Sequence, residues 1–152
     1  MRHNIKCPKV VLITGAAKRI GAAIARALHQ QNHRIIIHFR QSETQAYALR
    51  DELNAIRPHS AITLQAYLNQ TETVTDLIAQ AKQALGQLDV LINNASEYFP
   101  TPVGKTTDEQ WQRLLNTNLT APFFLSQAAA PHLTQQKGCI INIADINAFN
   151  PL

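Results

Sequence analysis

Two hydrophobic patterns alternate along the chain. Short continuous apolar runs, suited to strands covered on both faces, are separated by longer stretches of helix formers with one apolar face. The first run is Val10–Thr14, followed by a small-residue turn and a helix over about Ile20–Gln31. The second is Arg34–Phe39, with Ser42 as N-cap of a helix over Glu43–Ile56 that Arg57-Pro58-His59-Ser60 breaks. A third strand is expected at Ala61–Ala66, where Ile62, Leu64 and Ala66 alternate; Thr71 then caps a helix over Glu72–Leu85 that Gly86 stops. Leu88–Asn93 reads as the fourth strand, and Asn94–Thr106, with Pro100, Pro102 and Gly104, as an irregular loop. Thr107 opens a long helical region, Asp108–Leu133, in which Pro122 requires a kink or local break. Gly138 precedes a fifth strand, Cys139–Ile143.

Five strands alternating with helices predict a three-layer α/β/α, Rossmann-like domain over residues 1–152, with a parallel sheet in the order 3-2-1-4-5. Ligand then sits outside the carboxyl ends of strands one and four, where the order reverses. A chain of 152 residues fits one such domain, and a 45% hydrophobic, 16% charged composition is that of a globular protein. No apolar run approaches the ~20 residues that span a bilayer, and MRHNIKCPKV holds no apolar signal-peptide core. Cys7 and Cys139 lie far apart, which favours two unpaired thiols in a reducing cytoplasm over a disulfide or metal site. The net charge of +4 is uneven: residues 1–57 carry ten Lys/Arg against three Asp/Glu, and residues 58–152 carry four against seven. The basic charges are scattered and no aromatic set accompanies them, and a phosphate-bearing cofactor explains Lys18, Arg19 and Arg40 with less strain than nucleic acid.

The candidate chemistry lies at the predicted strand ends. Thr14-Gly15-Ala16-Ala17-Lys18-Arg19-Ile20-Gly21 is a strand-to-helix turn of small residues, whose backbone can approach a pyrophosphate while the helix start presents free N–H groups. Lys18 and Arg19 add two positive charges there. After strand two, an NAD site places Asp or Glu on the ribose hydroxyl; this chain has Phe39-Arg40-Gln41-Ser42, where Arg40 and Ser42 can donate to a 2′-phosphate. Either that is their role, favouring NADP(H), or Arg40 is a solvated loop arginine. After strand four, the amides of Asn93 and Asn94 can tie loops together, small Ala95 admits a planar ring, and Tyr98-Phe99 can either stack a flat substrate or anchor their loop. Asp145, after strand five, is either an acid group or a turn cap. Asn118 is either a member of a polar network or a partner for backbone freed near Pro122.

Together these residues resemble the short-chain dehydrogenase/reductase family, and within it the pteridine reductases. The loop Thr14–Gly21 is similar to their arginine-bearing cofactor loop, His38–Ser42 to their 2′-phosphate segment, and Leu53–Thr63 and Asn93–Pro102 to two further stretches. In that group the arginine of the 2′-phosphate segment usually stands where Gln41 is. The resemblance implies cofactor contacts from Gly15, Lys18, Arg19, Ile20, Gly21, Phe39, Arg40, Gln41, Ser42, Tyr67, Leu68, Asn94, Ala95 and Ser96. It implies a pterin substrate held by Arg19 and Ser96 and stacked on Tyr98. Asn118 corresponds to the helix asparagine of the family's proton relay, and Asp145 stands where most of the family has serine. Tyr67 departs from the usual Asp that touches the adenine amino group.

The family's Tyr-x-x-x-Lys pair does not occur anywhere in the chain. The resemblance therefore implies a C-terminally truncated member, about 60% of a usual length of roughly 250 residues, with little turnover of its own. The expected function is NADPH-dependent reduction of a dihydropterin by a cytoplasmic, possibly tetrameric enzyme that binds neither nucleic acid nor membrane. The rival readings are a non-catalytic nucleotide-binding or interaction module, and a reductase of 3-oxoacyl or sugar carbonyls.

Overall fold

The computed structural model describes residues 8–145, so Cys7 and residues 146–152 lie outside the described part. Five parallel strands form one sheet: β1 (Val10–Ile13), β2 (Arg34–Phe39), β3 (Ala61–Gln65), β4 (Val90–Asn93) and β5 (Cys139–Asn142). Their order is β3-β2-β1-β4-β5, as the alternation predicts. β1 is the central strand. Leu12 lies opposite Ile36 and Leu91, and Ile13 opposite Ile37 and Ile92.

The strand period of two divides the core between the faces of this sheet. Leu12, Ile36 and Leu91 face α3 (Thr71–Leu85) and α5 (Ala121–Gln136), whose Leu77, Ile78, Leu125 and Leu133 are buried with them. Val11, Ile13, Ile35 and Ile37 face α1 (Arg19–Gln30) and α2 (Glu43–Ile56), which contribute Ala22, Ala25, Leu49 and Leu53. Each large side chain fully removed from water contributes about 1.5–3 kcal/mol. Small alanines on α1 let that helix lie close to the sheet, and this closeness brings its first turn to the end of β1.

A polar corner fixes the opposite end of α1. Asn54 accepts from the N–H groups of Ser60 and Ala61, both at 2.9 Å, and donates to the Ala61 carbonyl. The Arg57 guanidinium reaches the carbonyls of His29 and His33 and the side chain of Asn32, satisfying acceptors at the end of α1. Ser60 donates to the Arg57 carbonyl, so His29, buried beside it, donates its Nε2–H to the Ser60 oxygen at 2.6 Å.

The boundaries differ from the sequence pattern where side chains or turns supply the bonds. β1 ends at Ile13: the Thr14 N–H still donates to the Ile92 carbonyl of β4, but the Thr14 carbonyl accepts from the Asn94 side chain instead of a neighbouring strand. α1 begins one residue early, at Arg19. Ser42 stands at the N-cap of α2 without a side-chain capping bond, and α3 is preceded by Gln70, so Thr71 is its first residue and not its cap. β3 stops at Gln65 and shows no clean alternation, since Ile62, Thr63 and Leu64 are all half-buried. β4 starts at Val90 instead of Leu88.

The long helical region is broken as Pro122 requires. α4 (Asp108–Leu115) starts with a capping box, in which Thr107 and Gln110 exchange bonds. It passes into a π-helical turn, Asn116–Thr120, and continues as α5, with Pro122 in the first turn. Pro122 has no N–H for the carbonyl four residues earlier, and the wider turn takes up that mismatch. α5 then tolerates a second proline, Pro131, and runs on to Gln136.

β5 is an exposed edge, including Cys139, Ile140 and Ile141. No helix among the described residues is long and apolar enough to cross a membrane. The burial contrast predicts that Leu12→Ala costs about 2–5 kcal/mol in urea unfolding, whereas Ile141→Ala, on the exposed strand, costs under about 1 kcal/mol. Equal losses would contradict the assignment of β1 as the core strand.

Candidate functional site

The carboxyl ends of β1, β2, β3 and β4 open into one cleft of about 800 Å³. That volume suits a ligand of nucleotide size. The turn after β1 is its floor. Gly15 has φ +61°, a conformation that favours glycine. A Cβ on Gly21 would stand 2.5 Å from the Gly15 carbonyl oxygen and 2.8 Å from the Ala16 Cα, so only glycine fits. This close approach leaves open backbone facing the cleft at the start of α1.

Two side chains lock that turn in place. The Gly15 N–H donates to His38 Nδ1 at 3.1 Å, and the other ring nitrogen of His38 donates to the Ala66 carbonyl at 3.1 Å. His38 therefore joins the end of β1 to the end of β3 as a neutral imidazole protonated on Nε2. On the other side of β1, Thr14 Oγ1 accepts from the N–H groups of Asn94 and Ala95, each at 2.9 Å. The Asn94 side chain donates to the carbonyls of Thr14 and Gly15 at 2.9 and 3.2 Å. The amide after β4 thus ties neighbouring loops together. Asn93 does so further out, donating to Asn142 at the end of β5 at 2.8 Å.

The cleft brings together all the residues expected to touch a cofactor: Gly15, Lys18, Arg19, Ile20 and Gly21 at the floor, Phe39, Arg40, Gln41 and Ser42 after β2, Tyr67 and Leu68 after β3, and Asn94, Ala95 and Ser96 after β4. Arg19 is exposed and takes φ +53°, a left-handed conformation uncommon for a side-chain-bearing residue. Tyr98 does not line this cleft. It is 86% exposed and belongs to an adjoining hollow with Phe99, Pro100 and Gln110. Arg113 and Glu97 border both spaces. Asp145 is exposed beyond β5 and outside the cleft lining.

Asn118 occupies the π-helical turn and uses its amide on one residue. It donates to the Glu97 carbonyl at 2.8 Å and accepts from the Glu97 N–H at 3.1 Å. Of the two alternatives for Asn118, the described geometry is the polar network, and it fixes the loop after β4. His38, Glu97, Arg113 and Thr117 also line the cleft without standing out in the sequence pattern. For His38 the signal present was a polar residue inside an otherwise apolar strand. Glu97 meets Arg113 in a close ion pair and Arg40 at 3.5 Å. The bonded Arg113 guanidinium holds the Glu97 carboxyl below the usual range, against the opposing effect of burial.

The chain matches the short chain dehydrogenase family model over residues 9–152. It belongs to the short-chain dehydrogenase family. Among its relatives, pteridine reductase 1 of Leishmania tarentolae is 34% identical over 94% of this chain and 63% of the relative. An uncharacterized oxidoreductase of Methylorubrum extorquens is 35% identical over 91% of this chain and 55% of its own. Another, of Staphylococcus aureus, is 30% identical over 93% and 60%. The chain thus spans about three fifths of the length of these relatives. The family is one of oxidoreductases that use nicotinamide cofactors, which accords with a cleft at the reversal of strand order.

Burial gives His38 a pKa of about 4, below the 6.5 of a free imidazole, against the opposing hydrogen bond to Ala66. The unfolded chain therefore takes up the proton first. The contribution is complete above pH 6.5 and is lost as pH falls toward 4. From pH 7.5 to 5, His38 alone is expected to lower stability by about 2 kcal/mol. Burial also lowers the pKa of His29, in the same direction. Urea unfolding of the native chain and His38→Asn across this range checks the assignment: the variant is less stable at pH 7.5 and has a shallower decline. An unchanged slope would refute it.

Proposed function

We propose that this chain serves an NADPH-dependent pteridine reductase, acting on a dihydropterin or dihydrobiopterin-like ring. The observation that supports the cofactor reading most strongly is the start of α1. Lys18 and Arg19 stand at the positive end of the helix, with no acidic residue in its first turn and no side-chain capping bond. Such an end favours an anion. Together with the Gly15 and Gly21 backbone it would hold a pyrophosphate. Arg40 and Ser42, after β2, would hold a 2′-phosphate, with Phe39, Gln41, Tyr67 and Leu68 around the adenosine.

Ala95 and Ser96 would border the nicotinamide, the group that supplies hydride when the cofactor is bound. The substrate reading rests on the likeness to pteridine reductase 1 and on the loop after β4. Arg19 and Ser96 would orient the pterin, and Tyr98 would offer a ring face. In this reading Asn118 acts as a positioning residue, because it holds Glu97 and with it the loop that carries Ser96 and Tyr98. Asp145 would place a carboxyl group at the ligand end of β5.

Fluorescence titration of the purified chain with NADPH and NADH tests the cofactor. NADPH is expected to bind roughly tenfold or more tightly, a difference that Arg40→Ala removes. Equal affinities, or no binding, would overturn the reading. The substrate is tested by Tyr98→Ala in the presence of NADPH. Dihydrobiopterin binding is expected to weaken roughly tenfold through lost stacking. An unchanged pterin affinity, or preferential binding of a 3-oxoacyl thioester, would move the assignment to a carbonyl substrate.

A further inference from the structure

Glu97 brings a carboxylate into the cleft at the place where the cofactor reading needs a free cation. Its backbone is held on both sides by Asn118, and its side chain is only 12% exposed. Oε1 meets both Arg113 and Arg40, while Oε2 is buried with no hydrogen-bond partner. Arg40 follows β2 and Glu97 follows β4, with β1 between them. Two strand spacings are about 10 Å. The Arg40–Glu97 pair therefore reaches across the end of β1, above the Gly15 turn. The Arg40 backbone is tied down by Gln65, which donates to its carbonyl at 2.9 Å, so the crossing is made by the side chain.

We propose that Glu97 determines cofactor specificity by competing with the cofactor's 2′-phosphate for Arg40. The inference rests on the dinucleotide reading given above. The two contacts of Glu97 are unequal. Arg113 forms the close pair, whereas Arg40 stands 3.5 Å away with its side chain 45% exposed. A phosphate near Arg40 carries more negative charge than a carboxylate and has three acceptor oxygens. It can take Arg40 while Glu97 keeps Arg113, so the exchange strands no buried charge. NADH has no anion at that position and does not require Arg40. Glu97 thus narrows the gap between NADPH and NADH, and Arg113 limits how strongly it does so.

Two substitutions shift this competition in opposite directions. Glu97→Gln preserves the shape and both backbone bonds to Asn118 but removes the charge that holds Arg40. Arg113→Gln leaves Glu97 with Arg40 as its remaining guanidinium partner. The native chain and both variants are titrated with NADPH and NADH. Glu97→Gln is expected to raise the NADPH-to-NADH affinity ratio roughly threefold to fivefold, the range of a partly exposed ion pair. Arg113→Gln is expected to lower it. A ratio that is unchanged or lower in Glu97→Gln, or unchanged or higher in Arg113→Gln, overturns the inference and leaves the dinucleotide reading intact. Failure of the native chain to bind either dinucleotide overturns that reading, and this inference with it.

Discussion

The Thr14 hydroxyl accepts from two successive backbone N–H groups, those of Asn94 and Ala95, while Asn94 returns its side chain to the Thr14 and Gly15 carbonyls. On the other flank of β1, Gly15 donates to His38. These few bonds join the ends of β2, β1 and β4, and the cleft is made from the loops that leave those ends. Each bond contributes about 0.5–1.5 kcal/mol net, but leaving its buried groups unpaired costs about 1–3 kcal/mol. The cleft therefore keeps its shape because opening it would strand polar groups at the end of a fully buried strand. The parallel register carries that constraint into the core, where Ile13 lies between Ile37 and Ile92.

The hydrophobic pattern locates β2 and α2 to the residue because both have chemically marked ends. β2 is a continuous apolar run, and α2 lies between Ser42 and the Arg57-Pro58 break. It overruns β1, β3 and β4 because the flanking residues are themselves apolar or strand-like, and the N–H groups of Thr14, Ala66 and Asp89 still donate to neighbouring strands, while the Thr14 and Ala66 carbonyls go to side chains. Thr14 serves the neighbouring loop, and Ala66 supplies a carbonyl to His38. The cleft residues are legible because strand order fixes where their loops emerge. Contacts that close over long sequence distances are not legible. His38 to Gly15, Asn118 to Glu97 and Glu97 to Arg40 depend on side-chain reach across the sheet, which no local period encodes. Leu53–Thr63 shows another limit of pattern reading. That stretch resembles the pteridine reductases strongly, yet Asn54, Arg57 and Ser60 spend their polar atoms on the fold.

The break before Pro122 connects the helix layer to the cleft. An uninterrupted α-helix would carry Asn118 on a different rotational phase, since each added residue turns the helix by about 100°. The π-helical turn inserts the extra residue that lets Asn118 meet both backbone groups of Glu97. Thr117 then lines the cleft beside Arg113. A proline whose immediate effect is to remove one helix bond thereby sets the position of the loop after β4.

At the start of α1, three local preferences are violated together. Arg19 holds φ +53°, which costs a side-chain-bearing residue roughly 1–2 kcal/mol. Lys18 stands at the N-cap without a capping bond, where Ser, Thr, Asp or Asn would stabilise the helix by about 1 kcal/mol. Both cations sit at the positive end of the helix, the end that disfavours them. The sheet can bear these costs because the rest of α1 is held by Ala22, Ala25 and the Arg57 corner. Their coincidence has a common physical remedy. An anion over the Gly15 turn would satisfy the free N–H groups and offset the cation–dipole repulsion by its attraction to both the cations and the helix end. Sequences depart from local consistency where a site requires it, and here each departure favours the same kind of ligand.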